Sequence, residues 1–195
     1  MARPDIKTER REQILDAFES CVSRYGVEGA TLAKTAEMAG LARPLVRHNV
    51  GNRDELLEAL VDRFLERTRN SMATMISALP AENKAKTAID WLFDPKFSDP
   101  QLVRVSNALI AASCENPSVA ARMLVWLNDF ITRLDELLAD EFPDADPEKV
   151  AAATAGITGI YFNIEALYPL GDTDVLVAAS KRAAIILLES LETSQ

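Results

Sequence analysis

Apolar residues recur along this chain at helical spacing, every third or fourth position, and the runs close on prolines, glycines or capping residues. Ile14, Phe18, Cys21, Val22 and Tyr25 share one stripe of a helix that begins near Arg10 and stops at Gly26. Two short helical stretches follow, hinged at Ala39-Gly40-Leu41. The first opens at Thr31, whose hydroxyl can accept a hydrogen bond from an unpaired N–H of the first turn. It ends at Gly40, where a residue without Cβ reaches positive φ and lets the chain turn steeply. The second carries Leu41, Val46 and Val50 on its apolar face and Arg43, Arg47 and His48 around it. Gly51 to Leu57 then predicts a turn, a cap at Asn52, and a new helix with Asp54 and Glu55 in its first turn, where the dipole favours acids.

Six helices are predicted beyond the hinge motif. One runs from about Asp54 to Leu79 and ends at Pro80; the next, with Ala85, Ile89, Trp91, Leu92 and Phe93, stops near Asp94-Pro95. A third covers about Pro100 to Cys114. The fourth follows Asn116-Pro117 and carries Met123, Trp126, Leu127, Phe130, Leu134, Leu137 and Leu138. Asp146-Pro147 opens a fifth, to about Tyr168, and Asp172 or Thr173 opens the last, with Leu176, Ala179, Ala183, Ile186, Leu187 and Leu191. No run of alternating β-branched residues argues for a sheet, so the fold is expected to be all-α. At 195 residues the chain exceeds the modal domain of roughly 100–150, which suits a small head, residues 1–53, and a larger helical body, residues 54–195.

Charge sharpens that division. Residues 1–53 carry a net +2 and the remainder −11, giving −9 overall, so the basic residues gather where the hinge motif lies and the acidic body would be repelled from a polyanion. Cys21 and Cys114 form no metal pattern, and Cys21 is expected in the core. The N-terminus lacks an apolar leader and the apolar-or-small stretch from Val150 to Phe162 is too short to span a bilayer, so a cytoplasmic protein without membrane association is expected. His48, the single histidine, has no carboxylate at helical spacing and no Ser, Cys or second His to form a catalytic set. Phosphate loops and metal motifs are missing too, so no cofactor, metal or catalytic residue is expected. The acids at Asp140-Glu141 and Asp144 to Glu148 invite a cation site, but a solvated helix end and loop is the plainer expectation.

The stretch from about Arg10 to Leu60 resembles the DNA-binding head of the TetR family of transcriptional regulators. The resemblance rests on Arg11-Glu12-Gln13-Ile14-Leu15-Asp16-Ala17, Tyr25-Gly26, Thr31-Leu32, Ala39-Gly40-Leu41, Arg43-Pro44-Leu45-Val46, His48, and Gly51 to Leu57, in order and at the family's spacing. It implies a three-helix helix-turn-helix domain and about six further helices that bind an effector and dimerise. Four positions depart from the family pattern. Ala42 stands where Ser or Thr usually caps the recognition helix, Arg47 replaces an aromatic residue, Val50 a Phe, and Thr35 an Ile on the buried face.

For double-stranded operator DNA, Arg43 suits guanine O6 and N7 and Leu45 thymine methyls, with Pro44 harmless in the first turn. Thr31, Arg47, His48 and Arg53 suit phosphates, and Lys34 joins the same DNA-binding set. Arg3, Lys7, Arg10 and Arg11 are either an arm along the DNA or solvated surface charge. The family implies an effector pocket, for which Trp91, Cys114, Trp126, Phe130, Tyr161, Phe162 and Glu165 are candidates, with plain core packing as the alternative for each. Glu165, one turn from Tyr161 in an apolar helix, would need a partner or an elevated pKa if buried, and could orient a cationic or hydrogen-bond-donating ligand. In the family the last two helices of each subunit form a four-helix bundle, and Ala152, Gly156, Gly159, Ile160, Ala178, Ala179, Ala183 and Ile186 are its candidates here, unless these small residues only pack within one subunit. The expected function is a ligand-responsive repressor binding a pseudo-palindromic operator as a homodimer. Two alternatives stand beside it: a TetR-like protein acting through a protein partner, and a small-molecule enzyme.

Overall fold

The computed structural model describes residues 6–192. Among them are nine α-helices, two short 3-10 turns and no strand. The helices are α1 (Ile6–Gly29), α2 (Leu32–Ala39), α3 (Arg43–Val50), α4 (Arg53–Ala78), α5 (Lys84–Leu92), α6 (Pro100–Ala112), α7 (Pro117–Glu141), α8 (Pro147–Leu167) and α9 (Asp174–Glu192). Proline and capping residues set most of these ends. Asp146 accepts from Glu148 N at 2.9 Å to start α8, and Asn116 accepts from Ser118 N at 3.1 Å to start α7.

Packing divides the chain into two units. One comprises Met1–Thr68 with Arg104–Met123, the other Arg69–Val103 with Leu124–Gln195. The first unit therefore runs past residue 53, because the first turns of α4 bury Leu56, Leu57, Leu60, Val61 and Phe64 alongside the buried Ile14, Phe18, Cys21 and Val22 of α1. Polar contacts tie the same elements. Arg63 pairs with Glu12, with Asp16 at 2.5 Å and with Glu19 at 3.3 Å; Arg67 also reaches Glu19, at 3.1 Å. Glu19 is 5% exposed, and a carboxylate that deep is tolerable only because two guanidiniums face it. The α6–α7 portion of this unit is fixed similarly: Arg104 donates to Ser23 at 3.0 Å, and Arg122 pairs with Glu58 at 2.8 Å and with Asp62.

The second unit has its own core, in which Ile89 and Phe93 meet Phe130, Leu134, Leu138, Ile157, Ile164, Ala184 and Leu188. α8 packs along α9, and α9 along α5, where Lys181 pairs with Asp90 at 2.8 Å. Glu141 is not simply a solvated helix end. Its carboxylate accepts from Ala85 N at 2.7 Å and so caps α5, whose own N-cap, Asn83, makes no side-chain bond. The segment Pro147–Leu170 contains an 18-residue window with a mean hydropathy of 1.3, so by length and composition alone it is long and apolar enough to cross a membrane, longer than the run Val150–Phe162. Its apolar positions are used within the fold: Val150, Ala153, Ile157 and Ile164 belong to the core.

Candidate functional site

The head is assembled around the turn at Gly40. Thr31 caps α2 through its side-chain oxygen, which accepts from Lys34 N at 3.3 Å. At the other end Gly40 has φ 65°, ψ 31°, and Leu41 N donates to Ala36 O at 2.9 Å, closing the helix with a left-handed residue as the sequence implied. Thr35, standing where an apolar residue was expected, is fully buried and donates its hydroxyl to Thr31 O at 2.9 Å, so the polar atom is satisfied inside the helix. Ala42 begins α3 without a side-chain cap, as its missing hydroxyl predicts. α4 starts on a reciprocal cap: Glu55 N donates to Asn52 Oδ1 at 2.9 Å, and Asn52 N to Glu55 Oε2 at 2.7 Å. A Cβ on Gly51 would lie 1.6 Å from that carboxylate, which excludes any larger residue there while the cap is formed.

On α3, Val46 is buried while Arg43, Pro44, Leu45, Arg47 and His48 are exposed. Among the described residues the side chains of Arg43, Arg47 and His48 make no hydrogen bond or ion pair, whereas the α1 acids Glu12, Asp16 and Glu19 are engaged by Arg63 and Arg67. The result is an exposed basic helix whose cations are unpaired among the described residues. Lys34 sits 4.2 Å from the ring centroid of Tyr25, which is 48% exposed instead of lying in the α1 core stripe. Arg53 departs from its expected role. Its guanidinium donates to Val27 O at 2.5 Å and Ala30 O at 3.4 Å and pairs with Glu28 at 3.0 Å, so it caps the end of α1 instead of standing free for a phosphate. On the first turns of α1, Arg11 is exposed and Arg10 is half-buried and donates to Gln13 at 3.2 Å; Arg3 is outside the described residues.

In the second unit four of the predicted pocket residues come together. Phe130 stacks on Tyr161 at 5.5 Å and meets Phe162 edge-on at 5.1 Å; Trp126 meets Phe162 at 5.2 Å. Phe93, which the sequence reading placed only in the core, adds an edge contact to Tyr161 at 6.1 Å. Glu165 follows Tyr161 by one turn, is half-buried, and makes no hydrogen bond or ion pair among the described residues. Burial pushes its carboxyl up to about 7 and, together with the Glu165 charge, raises the Tyr161 phenol above its ordinary value. Two further candidates have other surroundings. Cys114 is exposed and belongs to the first unit, and Trp91 stacks on the exposed Phe97 at 5.4 Å.

The opposite side of α8 and the adjoining side of α9 are bare. Ala152, Gly159 and Ala179 are exposed, and so are Val175 (86%) and Ile186 (52%), while Ile160 and Ala183 are half-buried. Gly156 is spent differently: a Cβ there would approach Leu187 Cδ1 to 2.7 Å, so it allows α8 and α9 of this chain to close on each other. A Cβ on Gly159 would meet nothing within 4 Å.

No protein-family model matches the chain. Among curated proteins, the HTH-type transcriptional regulator BetI of Paraburkholderia phytofirmans is 27% identical over 173 residues, covering 88% of this chain and 86% of the relative. A Pseudomonas aeruginosa PAO1 protein assigned as a transcriptional regulator superposes with a TM-score of 0.76 at 18% identity, over 98% of this chain and 94% of the other. A TetR-family transcriptional regulator of Streptomyces coelicolor gives 0.73 at 17% identity, over 94% and 96%. The chain has the TetR fold. Another structural neighbour, the transcriptional regulator FadR of Bacillus subtilis, solved in complex with stearoyl-CoA, gives 0.67 at 21% identity, over 91% and 97%. In the TetR-type head seen here, sequence reasoning missed the structural use of Arg53 and the cation–π contact of Tyr25. The signal for the first was present, since an arginine just after Asn52 opens α4 beside the end of α1, but only the folded chain reveals which carbonyls it meets.

Proposed function

We propose that this chain is a ligand-responsive, DNA-binding transcriptional repressor that grips a pseudo-palindromic operator as a homodimer, residues 1–53 reading DNA and residues 54–195 holding the effector and the partner subunit. The carrying observation is α3 itself: an exposed basic helix, set off by the left-handed turn at Gly40, with its cations unpaired among the described residues. Arg43 and Leu45 read bases, while Arg47, His48, Thr31 and Lys34 hold phosphates. The exposed side of α8 and α9, centred on Ala152, Gly159, Ala179 and Ile186, meets its symmetry mate; a two-fold dimer spaces two such helices for two half-sites. Phe130, Tyr161, Phe162, Trp126 and Glu165 hold a small effector whose charge or donors answer the carboxylate. A neighbour of the same fold solved with stearoyl-CoA supports a small-molecule effector in general. The protein works in the cytoplasm, without metal, cofactor or catalysis.

Mobility shifts on the DNA flanking its own gene test the reading. Arg43→Ala should weaken specific binding by about 1–3 kcal/mol per half-site and leave the dimer intact. Arg47→Ala should lower the slope of log K against log salt by about 2, one phosphate contact per head. Equal binding of the flanking DNA and an unrelated duplex, unchanged by Arg43→Ala, would overturn it.

A further inference from the structure

Thr158 is 6% exposed, and its hydroxyl is a buried side-chain oxygen without a hydrogen-bond partner among the described residues. Other helical hydroxyls here find one. Thr35, Thr68 and Ser113 each donate at 2.9 Å to the carbonyl four residues earlier, and Thr154, one turn before Thr158, donates to Asp135 at 3.0 Å. A buried hydroxyl left unmade costs free energy, so it marks either a defect or a group reserved for something that binds.

Its position favours binding. At 100° per residue, positions 154, 158, 161, 162 and 165 of α8 lie within a stripe about 100° wide. α7 runs opposite that stripe: Asp135 meets Thr154, Phe130 meets Tyr161 and Phe162, and Trp126 meets Phe162. Thr158 therefore lies between the Asp135 contact and the aromatic rings, and Glu165 lies beyond the rings at the other end. Two polar groups without partners among the described residues thus bracket one aromatic patch.

We propose that Thr158 is a second polar anchor of the effector site and that the effector is a short two-ended molecule: a cationic nitrogen for Glu165, a flat apolar middle for Phe130, Tyr161 and Phe162, and a hydroxyl or carbonyl for Thr158. The inference rests on the effector reading above. Seven residues of helix span about 10 Å, and the longer Glu165 side chain leans back toward the N-terminus, so the ligand's polar ends stand on the order of 8 Å apart. The rings touch at 5.1 to 5.5 Å, so a flat ligand enters by displacing one of the two half-buried rings, Tyr161 or Phe162. A cation beside Glu165 favours the ionised carboxylate that burial disfavours, so amine binding should lower the carboxyl's pKa from about 7.

Tyramine and 2-phenylethylamine, which differ only in the hydroxyl, test this with the full chain, by tryptophan fluorescence and calorimetry. The wild type should prefer tyramine about tenfold. Thr158→Val, nearly equal in volume, should bind both with the affinity of phenylethylamine, and Thr158→Ser should keep the preference; thermal melts establish that both variants fold. Glu165→Gln should weaken both amines alike. Equal affinity of the wild type for the two amines, or a preference that survives in Thr158→Val, overturns the role of Thr158 and leaves the effector site standing. Neither amine binding, or Glu165→Gln binding both as the wild type does, overturns the effector reading and the proposal with it.

Discussion

Replacing Glu165 by glutamine isolates what a carboxylate costs this helix. Burial raises the folded-state pKa from 4.5 to about 7, so the folded chain holds the proton more tightly than the unfolded chain does. For an acid shifted upward, the contribution to stability is complete below the unfolded value of 4.5 and is lost as pH rises through the folded value near 7. At about 1.4 kcal/mol per pH unit the loss across that window is about 3 kcal/mol, trimmed toward 2 by the partial access of water. Glutamine matches the shape and does not titrate. The melting temperatures of wild type and Glu165→Gln, followed by circular dichroism from pH 4.5 to 8.5, should therefore coincide at the acid end. They should separate progressively between pH 4.5 and 7 and differ fully above it, the variant being higher by roughly 4–12 °C at 2–4 °C per kcal/mol. Other carboxylates titrate in both proteins and cancel in the difference. A difference that stays constant with pH would refute the premise that Glu165 is desolvated.

Two further outcomes follow from geometry. Ala42→Ser supplies the side-chain cap α3 lacks and should stabilise the protein by about 1 kcal/mol in urea unfolding. Gly159→Arg adds a side chain where a Cβ meets nothing, so the subunit should fold with undiminished helicity, while light scattering should show the dimer dissociated; a dimer that persists would move the interface elsewhere.

The helices were legible because their periodicity and their punctuation agreed: Pro100, Pro117 and Pro147 each open one, and the left-handed Gly40 and the Asn52 cap fall where the residue types predicted. What stayed hidden were choices made between elements. A cysteine or tryptophan on a helix reads the same whether it faces a neighbour or water, which is why Cys114 and Trp91 seemed equal to Phe130 and only the last joins the aromatic cluster. Gly156 and Gly159, three residues apart, look alike in sequence. Yet one faces Leu187 within the subunit and the other faces outward, a difference fixed by the rotation of α8. Thr158 is silent in the sequence for a similar reason, since an unsatisfied hydroxyl is defined only by its surroundings.

The clasp made by Arg53 bears on engineering. It reaches back 26 residues to Val27 O, which joins the two ends of the α2–α3 pair, and Gln13 donates to Ala39 O at 2.9 Å, which holds the turn between the two helices from outside. Anyone redirecting this protein to a new operator by grafting a foreign α2–α3 segment would transplant the letters without the bracket that holds the page. The portable module runs from Gln13 through Arg53, with the Asn52–Glu55 cap that completes it, and specificity swaps cut inside those limits should yield folded chains that address DNA at the wrong angle.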